Sequence, residues 1–432
     1  MNTNHRNPIT WVPSVYFAMG LPFVMLNMVT SLMYKGLDIS DEQITFWASL
    51  ITLPWTLKFL WSPFLELFKS KKFFIIATQL TTGILFALMG FALQLPSFFA
   101  LTIGLSALVA FSGATHDIAT DGLYMDTLDK QTQAKYIGWQ GAFYNIAKIV
   151  ASGGLVWLAG WLIKHFSTSM PKHDATVQAW MVVLVIIGVL IVALALYHKF
   201  ALPQDARKAE GRTSSEVMAE LKAVLLDFTR KKHFLYYIAF IILYRLAEGF
   251  VMKIVPLFLK ATRTEGGLGL SEEQIGIIYG SFGAAAFVLG SILAGYYISH
   301  FGLKRTLFSL CCVFNLPFVA YAFLAGYQPE SISLIGVAIV IEYFGYGFGF
   351  VGLTLFMMHQ IAPGKHQMSH YAIASGIMNL SVMVTGMASG AICTKLGYAN
   401  FFLFTLVATI PAFLITYFVP FTHEEKAQDT NA

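Results

Sequence analysis

Apolar residues fill this chain in long runs separated by short polar intervals, and that pattern sets the architecture. Runs of suitable length occupy residues 11–34, 44–68, 73–94, 98–125, 136–163 and 177–198. A second set occupies 234–259, 274–299, 306–326, 331–358, 368–393 and 400–420. Each is close to the ~20 residues that cross ~30 Å of hydrocarbon as an α-helix. An all-α membrane protein of twelve spans follows, because in lipid each segment must satisfy its own backbone amides. The longest polar interval contains PQDARKAEGRTSSEV, which no bilayer core accepts, and then EVMAELKAVLLDF. The apolar spacing of the latter predicts a short amphipathic helix on the membrane surface. The chain thus divides into a six-span bundle at 1–198, a linker at 199–232, and a second six-span bundle with a short tail at 233–432.

Composition narrows the class. Of 432 residues, 57% are hydrophobic and 12% charged, about half the ~25% charged residues of a soluble domain. That excludes a soluble enzyme, a nucleic-acid binder and a disordered scaffold. The net charge of +5 sits in short loops between apolar runs, so it is no nucleic-acid signal. The polar start, MNTNHRNPIT, has no signal-type cleavage site, so the first span reads as retained. Cys311, Cys312 and Cys393 lie in apolar stretches and suggest no disulfide framework.

The loops give an orientation. Eighteen lysines and arginines fall on the side of the termini and the linker, against six on the other side. The positive-inside rule then places both termini and the linker in the cytoplasm. SDEQI at 40–44 recurs as SEEQI at 271–275, each copy opening the second helix of its half. Duplicated halves joined by a cytoplasmic linker are the organisation of secondary transporters, with a cavity between the halves.

A charge at mid-bilayer costs at least ~2.5–3.5 kcal/mol, so each one needs a reason. The buried acids are Asp117 and Asp121 in span 4, Glu248 in span 7 and Glu342 in span 10; the cations are Lys148, Arg245 and Lys253, with Lys58 nearer the cytoplasmic end. Asp117 and Asp121 share a helical face, where mutual repulsion favours a bound proton. Asp121 alternatively meets Lys130, Lys135 or water at the interface. Arg245 and Glu248, three apart and roughly 18–22 Å into their span, form either a structural pair or one opened by substrate. Glu342 lacks a local cation, and Lys148 and Arg245 are its expected long-range partners. Asp117, Asp121, Glu248 and Glu342 are the candidate proton-coupling residues. Lys148, Arg245, Trp139, Gln140 and Asn27 are the candidates for substrate binding. His116 reads as a packing histidine and His359 as solvated. Trp157, Trp161 and Trp180 are expected in the interfacial aromatic belt. No metal-ligand spacing, nucleotide-binding loop or hydrolase motif occurs, so neither metal nor cofactor is expected and the energy source is an ion gradient.

Several local sequences resemble the AmpG-type muropeptide permeases of the major facilitator superfamily. They are MGLPF (19–23), KFLWSPF (58–64), THDIATDGLYMDTL (115–128), ILYRLAEGFVM (242–252) and IEYFGYGFGFVGLTLFMM (341–358). KFLWSP with D-I-x-x-D is shared with the related acetyl-CoA transporters. The resemblance covers five spans in order and marks Lys58, Trp61, Pro63 and Asp126 as family-motif positions. It implies proton-coupled import of anhydro-muropeptides or amino sugars across the cytoplasmic membrane, by a monomer that alternates access. The chain departs from the pattern at His116, at Gly122-Leu123, at Arg245 and Glu248, and in the extra Lys253. A simple sugar, an oligosaccharide or an acyl-CoA-like anion is the alternative cargo, and a transporter-like sensor the alternative class.

Overall fold

The computed structural model describes residues 6–65, 70–128, 130–204, 213–364 and 366–423, which are helical with no strand among them. Nine helices in this set are long and apolar enough to cross a membrane. Spans 1, 3, 4, 5 and 6 are Pro8–Gly36, Lys71–Ala92, Phe98–Thr127, Trp139–Phe166 and Lys172–Ala201. Spans 8, 9 and 10 are Glu272–Phe301, Leu303–Tyr327 and Ile332–Ile361. The ninth helix, Ser369–Tyr417, is two crossings (spans 11 and 12) bent at Gly397, whose φ of 73° no side chain obstructs. Spans 2 and 7 are interrupted, which brings the total to twelve.

Span 2, read from hydropathy as continuous, is a series of pieces over 41–65: Asp41–Leu50, Leu53–Leu57, a 3-10 turn at Lys58–Leu60, and Ser62–Leu65. Pro54 supplies no N–H to the preceding turn, which accounts for the first break. Span 7 breaks at Arg245 (φ −104°, ψ 10°), between Phe234–Tyr244 and Leu246–Lys260. The repeated motif is a pair of helix starts. Ser40 Oγ accepts the Gln43 N–H and Ser271 Oγ the Gln274 N–H, so each serine caps a donor that the helix leaves open.

Two expectations change. The linker helix Ser214–Thr229 forms, with Thr213 and Glu216 closing a capping box. Its apolar face does not lie on lipid alone: Val217, Val224 and Phe228 are buried, and the Phe228 ring packs on His370 of span 11. Trp157 and Trp161 are exposed as a belt requires, but Trp180 is fully buried in the core of the first half. Spans 6 and 3 pack closely farther along, where Gly83 and Gly188 allow backbone approach.

The halves meet tightly at the end of the bundle opposite the termini, here called the far end. A Cβ on Gly280 of span 8 would run into the Ser152 carbonyl oxygen of span 5. The contact follows the repeat. Gly160 of span 5 sits 2.6 Å (as Cβ) from the Glu273 nitrogen that opens span 8. Gly390 of span 11 sits equally close to the Asp41 carbonyl that opens span 2. Each copy of the motif therefore seats a glycine of the opposite half.

Candidate functional site

The intramembrane charges form two clusters, one in each half, joined by a line of aromatic rings. In the first half, Lys58 Nζ lies 3.5 Å from Asp117 Oδ2, reaching it from the 3-10 turn where span 2 breaks. The other oxygen, Asp117 Oδ1, is buried without a hydrogen bond, and the Trp55 indole adjoins the same carboxylate. Asp121 accepts a 2.8 Å hydrogen bond from Tyr16 of span 1, a partner that neither reading of the residue named. The side chains of Lys130 and Lys135 lie outside the described set. At the end of span 4, Asp126 pairs with Lys71. Gly122 makes the room, since a Cβ there would strike the Lys71 stem at 2.7 Å. Trp61 donates to Thr115 at 3.3 Å and stacks on Phe111. The Pro63 side chain is likewise outside the described set.

The second half holds the more tightly closed pair. Arg245 donates from Nε and Nη2 to the two oxygens of Glu248, both at 2.5 Å, and both side chains are 5% exposed. The guanidinium carbon stands 5.2 Å from the Phe350 ring centroid. Glu342 takes neither Lys148 nor Arg245 as its partner. It accepts a 2.7 Å hydrogen bond from Tyr321 of span 9, because Arg245 is already committed on its own helix. Tyr346 is an electrostatic neighbour of both Glu248 and Glu342.

Lys148 stands between the clusters. Its ammonium is 5.0 Å from the Tyr144 ring of its own span and 5.5 Å from Phe287 of span 8. Tyr144 is in turn an electrostatic neighbour of Asp117 and Asp121. Phe287 packs on Tyr346 and Phe350, 4.9 and 6.3 Å between centroids. A path of rings and cations thus runs from the acids of span 4 to Arg245, Glu248 and Glu342. Asn27, in the wide turn Met25–Val29, accepts from Lys253 at 3.0 Å. Trp139 and Gln140 are not part of this group. Trp139 is exposed and stacked on Phe143, and Gln140 adjoins Tyr124, ~12 Å along the helix from Lys148 at 1.5 Å per residue.

Sequence reasoning missed the tyrosines. Tyr16, Tyr321 and Tyr346 carry no charge to mark them, though a hydroxyl in mid-span is itself a polar group that needs a partner. His116, read as a packing histidine, is buried and hydrogen-bonded. That residue closes a buried chain in which Ser14, His198, Gln79 and His116 are linked at 2.9 Å each, tying spans 1, 6, 3 and 4 together. His359 is exposed, as expected. Among the described residues no three metal-ligating side chains gather.

The comparisons agree with this architecture. An AmpG 4 protein of Rickettsia felis is 24% identical over 92% of each chain. The anhydromuropeptide permease of Escherichia coli K12 is 22% identical over 92% of this chain and 77% of its own. Among solved structures, a bacterial homologue of the human lysosomal transporter Spinster superposes with a TM-score of 0.70 at 16% identity, covering 96% of both chains. The nucleoside transporter NupG superposes with a TM-score of 0.68 at 15% identity, over 97% of this chain and 100% of that one. At that identity the structures speak for the fold alone. The Major Facilitator Superfamily profile matches residues 14–362 and again 254–432, and the chain belongs to that superfamily of membrane transporters.

Proposed function

We propose that this transporter is a proton symporter that imports a carboxylate-bearing amino sugar, of the kind released from cell-wall muropeptides, across the cytoplasmic membrane. One observation carries the reading. Of the intramembrane charges, two acids are held by tyrosines (Asp121 by Tyr16, Glu342 by Tyr321), and two lysines, Lys148 and Lys253, are held by rings or neutral oxygens. A carboxylate hydrogen-bonded by a tyrosine, and not closed in a salt bridge among the described residues, is placed to take up and release a proton. A lysine without a carboxylate has charge left for an anion. Phe287, Tyr346 and Phe350 offer ring faces of the kind that stack on the apolar face of a sugar. The similarity to AmpG proteins and to the anhydromuropeptide permease supports the same cargo. Symport with a proton that runs inward across the cytoplasmic membrane makes the movement an import.

The test is uptake by proteoliposomes of N-acetylmuramic acid against N-acetylglucosamine, which differ by the lactyl carboxylate. Accumulation of the acid should need an inward proton gradient. Asp121→Asn or Glu342→Gln should lower that accumulation at least ~10-fold while leaving exchange without a gradient, because the amide mimics the protonated acid. Equal uptake of both sugars would favour a neutral sugar as cargo. Gradient-independent accumulation by both variants would remove the proton from the mechanism.

A further inference from the structure

Lys253 belongs to the second half, yet both of its hydrogen-bond acceptors belong to the first. Its ammonium donates to Asn27 Oδ1 of span 1 at 3.0 Å and to the Ala48 carbonyl of span 2 at 3.2 Å. The residue is 6% exposed. Its stem passes Gly386 of span 11, where a Cβ would stand 3.1 Å from Lys253 Cγ and 2.5 Å from Ser49 Oγ. That Ser49 hydroxyl is itself buried without a hydrogen bond. The site is therefore a four-helix junction across the far-end interface, with a cation and an orphaned hydroxyl in it.

The neighbouring ion pairs are arranged differently. Lys35 pairs with Asp41 inside the first half, and Lys260 with Glu272 inside the second. Both survive intact if the halves part at the far end. Lys253 does not, because parting removes both of its acceptors at once. What remains is an ammonium, unpaired at the base of the opening, opposite the Asn27 amide and Ser49. An ammonium exposed there binds an anion, and a carboxylate suits its size and its hydrogen-bonding.

We infer that Lys253 is a latch in the far-end-closed state and the anion-binding site of the far-end-open state, taking the carboxylate of an incoming solute. The inference rests on the transporter reading, in that the halves must separate at the far end, but it needs no particular cargo. Neutral acceptors suit such a latch. A carboxylate at position 27 would hold the ammonium too strongly to yield it to a solute.

The experiment measures the local charge without a substrate. In protein lacking Cys311, Cys312 and Cys393, Asn27→Cys weakens the latch and supplies a thiol beside Lys253. Reconstituted protein is treated from the far side with a negatively and a positively charged methanethiosulfonate of similar size, and the ratio of rates is recorded. The expected ratio favours the anionic reagent, falls at least tenfold in Asn27→Cys/Lys253→Gln, and is kept in Asn27→Cys/Lys253→Arg. A ratio unmoved by Lys253→Gln overturns the proposal. So does a thiol at position 27 that never reacts from the far side in protein that elutes as a folded monodisperse species. In the opposite direction, Asn27→Asp should tighten the latch and slow far-side labelling of Ser49→Cys at least tenfold, and an unchanged rate there would also overturn it. A mistaken cargo, by contrast, leaves the labelling ratios as predicted.

Discussion

A charge inside a bilayer persists when it is paired, when neutral dipoles solvate it, or when it gives up its charge, and single residues here use different routes. Arg245 and Glu248 take the first, in a bidentate pair nearly closed to solvent. Removing one member strands the other, at a cost of about 3–5 kcal/mol for a buried partner left charged. Arg245→Ala should therefore lower the melting temperature by several degrees in detergent, and Arg245→Ala/Glu248→Ala should restore it. Uptake should stay lost in the double variant, since the pair also faces Tyr346 and Phe350 on the proposed substrate path. Thermal shift and proteoliposome uptake read the two outcomes separately, and recovery of both would reduce the pair to a clamp. The identities of the charged residues were legible in the sequence, and so was this pair, because i and i+3 share a face. The partners of Asp121 and Glu342 were not. Tyr16 is 105 residues from Asp121, and helical periodicity gives a residue's bearing on its own helix, not which neighbour it meets.

At the level of elements, hydropathy located all twelve spans within a few residues but could not show that spans 2 and 7 are broken. Transfer energy depends on side chains summed over a window, whereas a break depends on single backbone positions such as Pro54 and Arg245. The breaks matter because they aim side chains: Lys58 leaves its span at a 3-10 turn to meet Asp117, and Arg245 sits at the hinge between two helical pieces. Glycines set how closely whole spans approach, and hydropathy does not reveal which neighbour each one meets. Gly280→Ala puts a methyl group against rigid backbone on span 5, whereas Gly295, on the same span, has nothing within 4 Å of its added carbon. Overpacking of this kind costs about 1–3 kcal/mol. Gly280→Ala should lower thermal stability or loosen the far-end contact, read as faster labelling of far-end cysteines, and Gly295→Ala should match the parent in both. Equal behaviour of the two would mean that spans 5 and 8 are not held together at Gly280.

For the molecule as a whole, the pseudo-symmetry announced by two five-residue motifs extends to the contacts those motifs make. Each caps a helix, carries an acid paired with a lysine of its own half, and receives a glycine from the other half. The two halves can therefore hinge at the far end without breaking either of these ion pairs, whereas the Lys253 bonds described above and the Tyr398 hydrogen bond to Asp41 both cross the joint. Which side of the membrane that end faces is a matter of charge. The termini and linker end carries three times as many lysines and arginines as the far end, and the positive-inside rule assigns such an end to the cytoplasm. Ser215 lies exposed on the linker helix and Ser169 exposed in the loop between spans 5 and 6, at opposite ends of the bundle. In protein without native cysteines, Ser169→Cys should react with an impermeant maleimide added to intact cells, and Ser215→Cys only after the membrane is opened. The reverse order would invert the assigned orientation and place the far end, with Lys253, on the cytoplasmic side. Labelling of both from outside would contradict the single crossing, span 6, that separates the two positions in this fold.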